Sequence, residues 1–311
     1  KFSKVSNKAE GKKKKNMQRG REPGNVYGYK KEMSYEMEES VPEYSTYSRS
    51  CYWKTVNATG MAPSPRSLHT AVAHNDCIYI FGGYDGTQRT NDFFQYSLET
   101  NKWTQLTTND IPPTPRDRHA AVVYENSICI FGGYDGTNRV NDFYEFNVER
   151  GEWQEILHSA GIPPSARHSH ATVVYDGSMY VFAGYDGLYR NDFHRFNFRS
   201  NTWSTMKDHS GKFDNWPKAR YRTSATIHQD MMLVFGGHDG ARQLNDFHSF
   251  NFITEVWQTI DCSGFSPVAR DSHVAVSFKN SILIFGGSTG NARSDFYEYK
   301  FDKQQWFNIS R

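Results

Sequence analysis

The sequence predicts an all-β fold built from repeated four-stranded units. Three observations predict it: a tryptophan that recurs about every 50 residues, a glycine pair that keeps the same period, and an aromatic content of 15%. Aromatic residues favour strands and glycine favours tight turns, so this composition argues against a helical bundle. A period of this length is typical of architectures that repeat one block of supersecondary structure.

Four markers recur in register along the chain. Tryptophans stand at Trp53, Trp103, Trp153, Trp203, Trp257 and Trp306. Glycine pairs, one of them with an alanine, follow apolar runs at Gly82 and Gly83, Gly132 and Gly133, Ala183 and Gly184, Gly236 and Gly237, and Gly286 and Gly287. An Asn-Asp-Phe or Ser-Asp-Phe triplet begins at residues 91, 141, 191, 245 and 294, and the arginines that open each unit are Arg66, Arg116, Arg167, Arg220 and Arg270. Since a catalytic site needs unlike residues at one point, markers that recur in every unit are expected to be structural.

Each unit is predicted to contain four short strands, named a to d here. In the second unit, residues 119–124 form a small apolar strand a, residues 128–131 a continuous apolar strand b, residues 143–148 an alternating strand c, and Trp153 the centre of strand d. A continuous apolar run fits a strand that is buried on both faces. The glycine pair lets the chain turn tightly and lets neighbouring backbones approach. Four strands in each period predict the blade of a β-propeller.

These markers resemble those of the kelch family over about residues 43–309. Five complete units begin at Arg66, and Trp53 precedes them. Placing Trp53 in a strand d puts residues 43–48 in strand c of a further blade. The prediction is therefore a kelch β-propeller over residues 43–311, with five complete four-stranded blades plus the N-terminal strands of a sixth. Strands a and b of that blade are expected after Arg311. The alternative is five blades plus a loose strand pair, which would leave costly open edges.

Residues 1–42 are predicted to form a basic, largely disordered tail. Residues 1–50 hold twelve Lys or Arg and seven Asp or Glu, whereas the remaining residues hold 24 and 27, so the basic excess lies in the tail. The main body is therefore a poor candidate for binding nucleic acid. A lysine run in the tail fits either a solvated linker or a nuclear-localisation patch: Lys12, Lys13, Lys14 and Lys15. The sequence contains no apolar run long enough for a transmembrane helix.

Residues that vary within the repeated pattern are the candidates for a partner-binding face. The b–c loops supply Tyr84, Arg89, Tyr134, Arg139, Tyr185, Tyr189, Arg190, His238 and Arg242, and the d–a loops supply Arg118, Ser169, Arg222 and Ser272. Tyrosine and arginine are enriched in interaction hot spots. Guanidinium groups favour an acidic partner segment through bidentate pairs. The alternative is that each tyrosine packs only on its neighbour.

The residues give little support to an enzymatic function. His168 and His170 stand two apart, but a metal site needs further ligands and the repeat already accounts for His170. No glycine-rich phosphate loop and no nucleophilic serine elbow occurs. The sequence therefore predicts no catalytic residue, no metal ligand and no cofactor.

Within the kelch family, the repeats are most similar to the kelch region of the leucine-zipper-like transcriptional regulators. A Val-Pro-Glu-Tyr lead-in at residues 41–44, the Phe-Ala-Gly-Tyr-Asp-Gly variant at residues 182–187 and the Asn-Asp-Phe triplets carry this resemblance. Members of that family carry BTB domains after the kelch region and act as substrate adaptors for cullin-3 ubiquitin ligases. None of these 311 residues shows a BTB-like segment, so that role would need a domain outside this chain.

The resemblance implies a non-catalytic protein-interaction module whose loop face holds the partner, with Arg118 and Arg222 at the positions of ligand-binding arginines. The first hypothesis is the substrate-recognition domain of a cullin-3 ligase adaptor. The alternatives are a scaffold in cytoskeletal or trafficking assemblies and, third, a metal-dependent kelch enzyme. A cytoplasmic location is expected, with endomembrane association and nuclear import through the lysine run left open.

Overall fold

The computed structural model describes residues 53–207, 215–262 and 265–310. Within these ranges, 21 strands form five sheets, which confirms an all-β propeller of five blades. The predicted tail over residues 1–42 and the predicted strand c over residues 43–48 lie outside the described residues. The described part of the chain contains no helix with the length and apolar character needed to cross a bilayer.

Each blade is an antiparallel sheet whose strands a to d follow the chain order. Blade 1 consists of β2 (Thr70–His74), β3 (Cys77–Tyr84), β4 (Arg89–Ser97) and β5 (Lys102–Leu106), with β1 (Thr59–Gly60) added in parallel to β5. Blade 2 consists of β6 (Ala120–Tyr124), β7 (Ser127–Tyr134), β8 (Arg139–Asn147) and β9 (Glu152–Glu155). Blade 3 consists of β10 (Ala171–Tyr175), β11 (Ser178–Tyr185), β12 (Tyr189–Asn197) and β13 (Thr202–Thr205).

The last two blades repeat this order. Blade 4 consists of β14 (Ser224–His228), β15 (Met231–His238), β16 (Gln243–Asn251) and β17 (Val256–Thr259). Blade 5 consists of β18 (Val274–Phe278), β19 (Ser281–Phe285), β20 (Phe296–Lys300) and β21 (Gln305–Asn308). The a strands of successive blades contact each other, β2 with β6, β6 with β10, β10 with β14 and β14 with β18, so strand a is the inner strand of the ring.

Strands b and c are longer than the sequence predicted, because the glycine pair does not end strand b. In blade 2, β7 continues past Gly132 and Gly133, and the register shifts between Phe131 and Gly133 in a β-bulge. The two glycines have φ of +64° and +110°, which residues with a side chain rarely adopt. A Cβ on Gly133 would also lie 2.8 Å from the Cβ of His119. The glycine pair therefore allows both the bulge and the close approach of the d–a segment.

The third copy of the glycine pair begins with Ala183, which keeps a φ of +65° and is fully buried. In blades 1, 2 and 4, a Cβ at this position would lie 3.0 to 3.2 Å from the Cε1 atom of a histidine in the next blade, and these histidines are His119, His170 and His273. Blade 4 carries Thr223 at the histidine position. Since threonine is smaller than histidine, the Ala183 methyl group has room. The exchange of glycine for alanine and the exchange of histidine for threonine therefore complement each other.

The arginine that opens each unit is a buried structural tie within its own blade. Arg116 is 0% exposed, and its Nη1 and Nη2 donate to the two carboxylate oxygens of Asp142 at 2.6 and 2.8 Å. It also donates to the carbonyls of Gly132 and Thr114. The same bidentate pair joins Arg66 to Asp92, Arg167 to Asp192, Arg220 to Asp246 and Arg270 to Asp295. Burial alone would raise the pKa of Asp192, but hydrogen bonds from Arg167 and His194 hold that pKa well below its usual range.

Aromatic side chains form the contact between neighbouring blades. Trp306 of blade 5 packs on Phe235 and Phe247 of blade 4, with ring centroids 5.4 and 5.5 Å apart. The strand-d tryptophans of blades 2 to 4 contact the preceding blade in the same way: Trp153 on Phe81 and Phe93, Trp203 on Phe131 and Phe143, and Trp257 on Phe182 and Phe193. Rings at these distances and angles stabilise the interface beyond their buried area.

Blade 5 presents the equivalent phenylalanines to Trp53. The centroid of Trp53 lies 5.2 Å from that of Phe285 and 6.1 Å from that of Phe296. The inner part of the same face is open, because Val274, Val276 and Phe278 are 59%, 54% and 50% exposed. The equivalent strand-a side chains in blade 2, such as Ala120 and Val122, are each 7% exposed.

Candidate partner-binding face

The structure brings the two predicted sets of loops together at one end of the strands, which we call the loop face. One residue of each d–a segment forms an antiparallel bridge to the end of strand b in the same blade. The bridged pairs are Ser67 and Tyr84, Asp117 and Tyr134, His168 and Tyr185, Tyr221 and His238, and Asp271 and Ser288. The predicted Tyr84, Tyr134, Tyr185 and His238 therefore occupy equivalent places around the face.

The d–a loop candidates form an inner ring on this face. Backbone hydrogen bonds run around it, from the amide of Arg118 to the carbonyl of Leu68 at 3.0 Å, and from the amide of Ser169 to the carbonyl of Arg118 at 2.8 Å. Arg222 and Ser272 continue the ring with hydrogen bonds of 2.9 Å each. The five residues of this ring, Leu68, Arg118, Ser169, Arg222 and Ser272, have φ between 54° and 59°. This conformation is strained for residues other than glycine, and the hydrogen bonds between blades stabilise it.

The b–c loop arginines of blades 1 and 2 stack on tyrosines of the next blade. The Arg89 guanidinium lies 4.6 Å from the ring centroid of Tyr134, and that of Arg139 lies 4.8 Å from the centroid of Tyr185. Such cation–π contacts stabilise by about 0.5–2 kcal/mol, depending on solvent exposure. The hydroxyl of Tyr134 donates to the carbonyl of Gly136 in its own turn, as Tyr84 does to Gly86. These tyrosines therefore pack on their neighbours while they line the face.

Blades 3 and 4 place different residues at the arginine position. Strand pairing matches Tyr185 with Tyr189 and His238 with Gln243, where blades 1 and 2 have arginine. Tyr189 is 38% exposed, and its ring centroid lies 5.3 Å from that of Tyr221. Nδ1 of His238 accepts from the amide of Gly240 at 2.9 Å. In blades 3 and 4 the matched position therefore carries tyrosine and glutamine in place of arginine.

Two candidate arginines are not equivalent to Arg89 and Arg139. Arg190 follows the matched position, and its Nε donates to Asp186 at 2.7 Å. Arg242 precedes the matched position and is exposed, and its amide donates to Asp239. The b–c turn of blade 3 is one residue shorter than those of blades 1 and 2, and in blade 4 the arginine stands one position earlier. The sequence pattern alone did not distinguish these two cases.

Two d–a loop residues place buried carboxylates on the face. Asp117 is 1% exposed and accepts from Nη1 of Arg118 at 2.9 Å, while Nε of Arg89 lies 3.1 Å away. Asp271 is 3% exposed, accepts from Oγ of Ser272 at 2.8 Å and lies 3.6 Å from Arg222. Each directly precedes a candidate residue.

His168, which precedes Ser169 in its d–a loop, lies among three arginines. Burial, together with the charges of Arg118, Arg139 and Arg222, lowers the pKa of His168 to about 4, so the ring is neutral at pH 7. The Nε atoms of the three arginines are buried and have no hydrogen-bond partner. Arg139 also forms no ion pair with any described residue. The side chains of Arg118 and Arg222 are 25% and 35% exposed, so their guanidinium groups can pair with an anionic group of a partner.

His170 belongs to the blade interface rather than to this face. Its ring is 7% exposed and packs edge-on against Phe131 at 5.4 Å. Over the described residues, no group of three or more His, Cys, Asp or Glu side chains has the geometry to hold a metal ion.

The chain matches the KLHDC2/KLHL20/DRC7 Kelch-repeats domain family over residues 28–214 and 209–311. It is 32% identical over 279 residues to the leucine-zipper-like transcriptional regulator 1 homolog of Drosophila melanogaster, which covers 86% of this chain and 23% of that protein. It is 32% identical over 257 residues to the human leucine-zipper-like transcriptional regulator 1, covering 78% of this chain and 30% of that protein.

Human Kelch domain-containing protein 10 is also similar, with 29% identity over 270 residues, 79% of this chain and 61% of that protein. The chain thus spans between about a quarter and under two thirds of these relatives. The similarity to leucine-zipper-like transcriptional regulators agrees with the resemblance seen in the sequence.

Proposed function

Since this chain belongs to the KLHDC2/KLHL20/DRC7 kelch-repeat family, a family of propeller-shaped protein-interaction domains, we propose that its loop face captures a protein partner through an acidic segment. The observation that carries this proposal is the convergence of Arg118, Arg139 and Arg222 around His168. The guanidinium groups of Arg118 and Arg222, whose side chains are 25% and 35% exposed, are the groups that a carboxylate of the partner would pair with. The tyrosine pair on the face, Tyr189 and Tyr221, would hold the flanking apolar part of the segment.

The test is a direct binding measurement with an acidic probe. A fluorescein-labelled hexaglutamate peptide is titrated with the chain at low salt, and hexaglutamine is the neutral control. We expect Arg118→Ala/Arg222→Ala to weaken hexaglutamate binding at least tenfold, because two charge-assisted contacts are lost.

The matched control is Arg150→Ala/Arg199→Ala, which removes the same charge from exposed c–d turns at the opposite end of the strands. Thermal melting establishes that both variants are folded. Equal weakening by the two double variants would mean that net charge alone drives binding, and the loop-face assignment would fail.

We further propose that the captured partner is a substrate of a cullin-3 ubiquitin ligase, with the ligase contact made by a domain outside this chain. The similarity to leucine-zipper-like transcriptional regulators supports this role. In cells, a longer form that carries its native flanking segments would co-purify with cullin-3 and a client. Only the client should be lost with Arg118→Ala/Arg222→Ala. Retention of cytoskeletal or trafficking proteins that are indifferent to the variant, without cullin-3, would favour the scaffold role instead.

The propeller itself is proposed to have a sixth blade position, in which Trp53 takes the place of a strand-d tryptophan. Trp53 contacts Phe285 and Phe296, the equivalents of the blade 4 pair that Trp306 contacts. Unlike Trp306 in β21, Trp53 lies outside the strands, contrary to the predicted strand d, and is 75% exposed. The segment after Trp53 pairs in parallel with β5, as Ala160 does with Thr202 two blades further on. Trp53→Ala should therefore increase hydrogen exchange in β19 and β20. Unchanged exchange would mean that Trp53 is a loosely attached surface residue.

A further inference from the structure

A cavity of about 330 Å³ lies between blades 2 and 3, outside the loop face. Three aromatic side chains line it, Tyr124, Phe196 and Phe198, with the rings of Tyr124 and Phe198 stacked 3.9 Å apart. Ile156 and Leu157 also line it, and Leu157 is 71% exposed, so the cavity has an apolar lip. The volume is in the range of cavities that take a small ligand or a long side chain.

One carboxylate in this cavity lacks the partners that its equivalents have. Glu145 of β8 is half-buried and lines the cavity, and its carboxylate forms no hydrogen bond or ion pair with any described residue. The equivalent residue in blade 1, Gln95, donates to Tyr79 at 2.9 Å and to Cys77. The equivalent in blade 5, Glu298, accepts from Ser281 at 2.8 Å. The contacts repeated in other blades therefore do not explain why a carboxylate occupies position 145.

The cavity combines the three features that bind a basic side chain. The Glu145 carboxylate supplies the opposite charge, aromatic rings supply cation–π contacts, and the apolar lip covers a methylene stem. We propose that this cavity binds the arginine or lysine side chain of a partner protein, at a site separate from the loop face.

The experiment uses the whole chain with selectively labelled Ile and Leu methyl groups. The probes are Nα-acetyl-arginine amide and Nα-acetyl-lysine amide, and their neutral counterparts are the amides of acetyl-citrulline and acetyl-norleucine. We expect the methyl resonances of Ile156 and Leu157 to shift with the cationic probes only. A response to only one cationic probe identifies which basic residue the partner supplies.

Glu145→Gln should weaken the binding of the cationic probe at least tenfold, without lowering the melting temperature. The matched control Glu152→Gln removes the same charge from an exposed position of the adjoining strand and should leave binding unchanged. Binding that persists in Glu145→Gln, or equal shifts with citrulline or norleucine, would overturn the proposal. Arg118→Ala/Arg222→Ala should not affect these shifts, so a failure here is distinct from a failure of the loop-face proposal.

Discussion

Arg116 and Arg118 stand two residues apart in one turn, yet they serve different parts of the molecule. Arg116 is 0% exposed and makes a bidentate pair with Asp142 inside its blade. Arg118 has a side chain that is 25% exposed, lies on the loop face and keeps an unused Nε. Arg220 and Arg222 repeat the same contrast in blade 4. Residue type therefore does not separate a structural arginine from one that is available to a partner, whereas position in the turn does.

The largest expected effect is the loss of stability when the buried arginine is replaced. Arg116→Met removes one partner of a buried ion pair and leaves Asp142 without its bidentate donor, which should cost about 3–5 kcal/mol of unfolding free energy. Arg118→Ala should cost less than about 1 kcal/mol, since partly exposed pairs contribute little. Urea denaturation of the two variants measures the difference. Similar losses in both would show that the two arginines are equally structural.

Acidification extends the comparison to three buried histidines. Burial is the larger cause that lowers their pKa, and the charge of a nearby arginine adds to it. Together they lower the pKa of His119, His170 and His273 to about 3. The folded-state pKa is below the unfolded value of about 6.5, so the unfolded chain takes up protons first as the pH falls. Their stability contribution is complete above pH 6.5 and is lost as the pH falls toward 3.

Thermal unfolding at pH 7 and pH 5 tests this dependence. In His170→Gln, the loss of stability between these pH values should be smaller than in the wild type by about 2 kcal/mol. The control is His158→Gln at an exposed position, which should retain the full loss. A His170→Gln variant with the wild-type pH dependence would mean that His170 becomes protonated in the folded state.

The interface between blades 3 and 4 provides a smaller test. Thr223→His should destabilise by about 1–3 kcal/mol, because the imidazole would overlap the Ala183 methyl group. Adding Ala183→Gly should restore most of this loss, since it recreates the glycine and histidine of the other blades. A double-mutant cycle measures the coupling. Additive effects would show that the two exchanges are independent.

The smallest effect is a gain of stability at the interface between blades 2 and 3. His119 and His273 form hydrogen bonds through Nε2 to Thr70 and Ser224, whereas Nε2 of His170 has no partner among the described residues. Ala120 occupies the equivalent position to Thr70 and Ser224. Ala120→Ser should therefore add about 0.5–1.5 kcal/mol. The control Ala171→Ser should add nothing, because the next blade has Thr223 in place of histidine and the Thr223 hydroxyl already donates to the carbonyl of Phe235. An equal rise in melting temperature for both variants would contradict the hydrogen-bond explanation.

Much of the candidate face could be predicted from the sequence, but its chemistry could not. Arg118, Arg222 and the b–c loop tyrosines were identified because they vary within a regular pattern. The cationic surroundings of His168 could not be predicted, since they depend on arginines from two other blades. The sequence also did not predict that Tyr189 and Gln243 occupy the position of the stacked arginines. Small differences in the b–c loops decide which residue takes that position.

The sequence by itself determined the fold class, the period and the five complete blades, because each blade's strands and turns follow from local composition. The tertiary structure alone decided which histidine lies among cations and which carboxylate remains unpaired. These properties depend on contacts between residues about 50 positions apart, as Glu145 and Phe196 are across the cavity between blades 2 and 3. Burial and pairing across blades therefore separate residues that the repeat makes look alike.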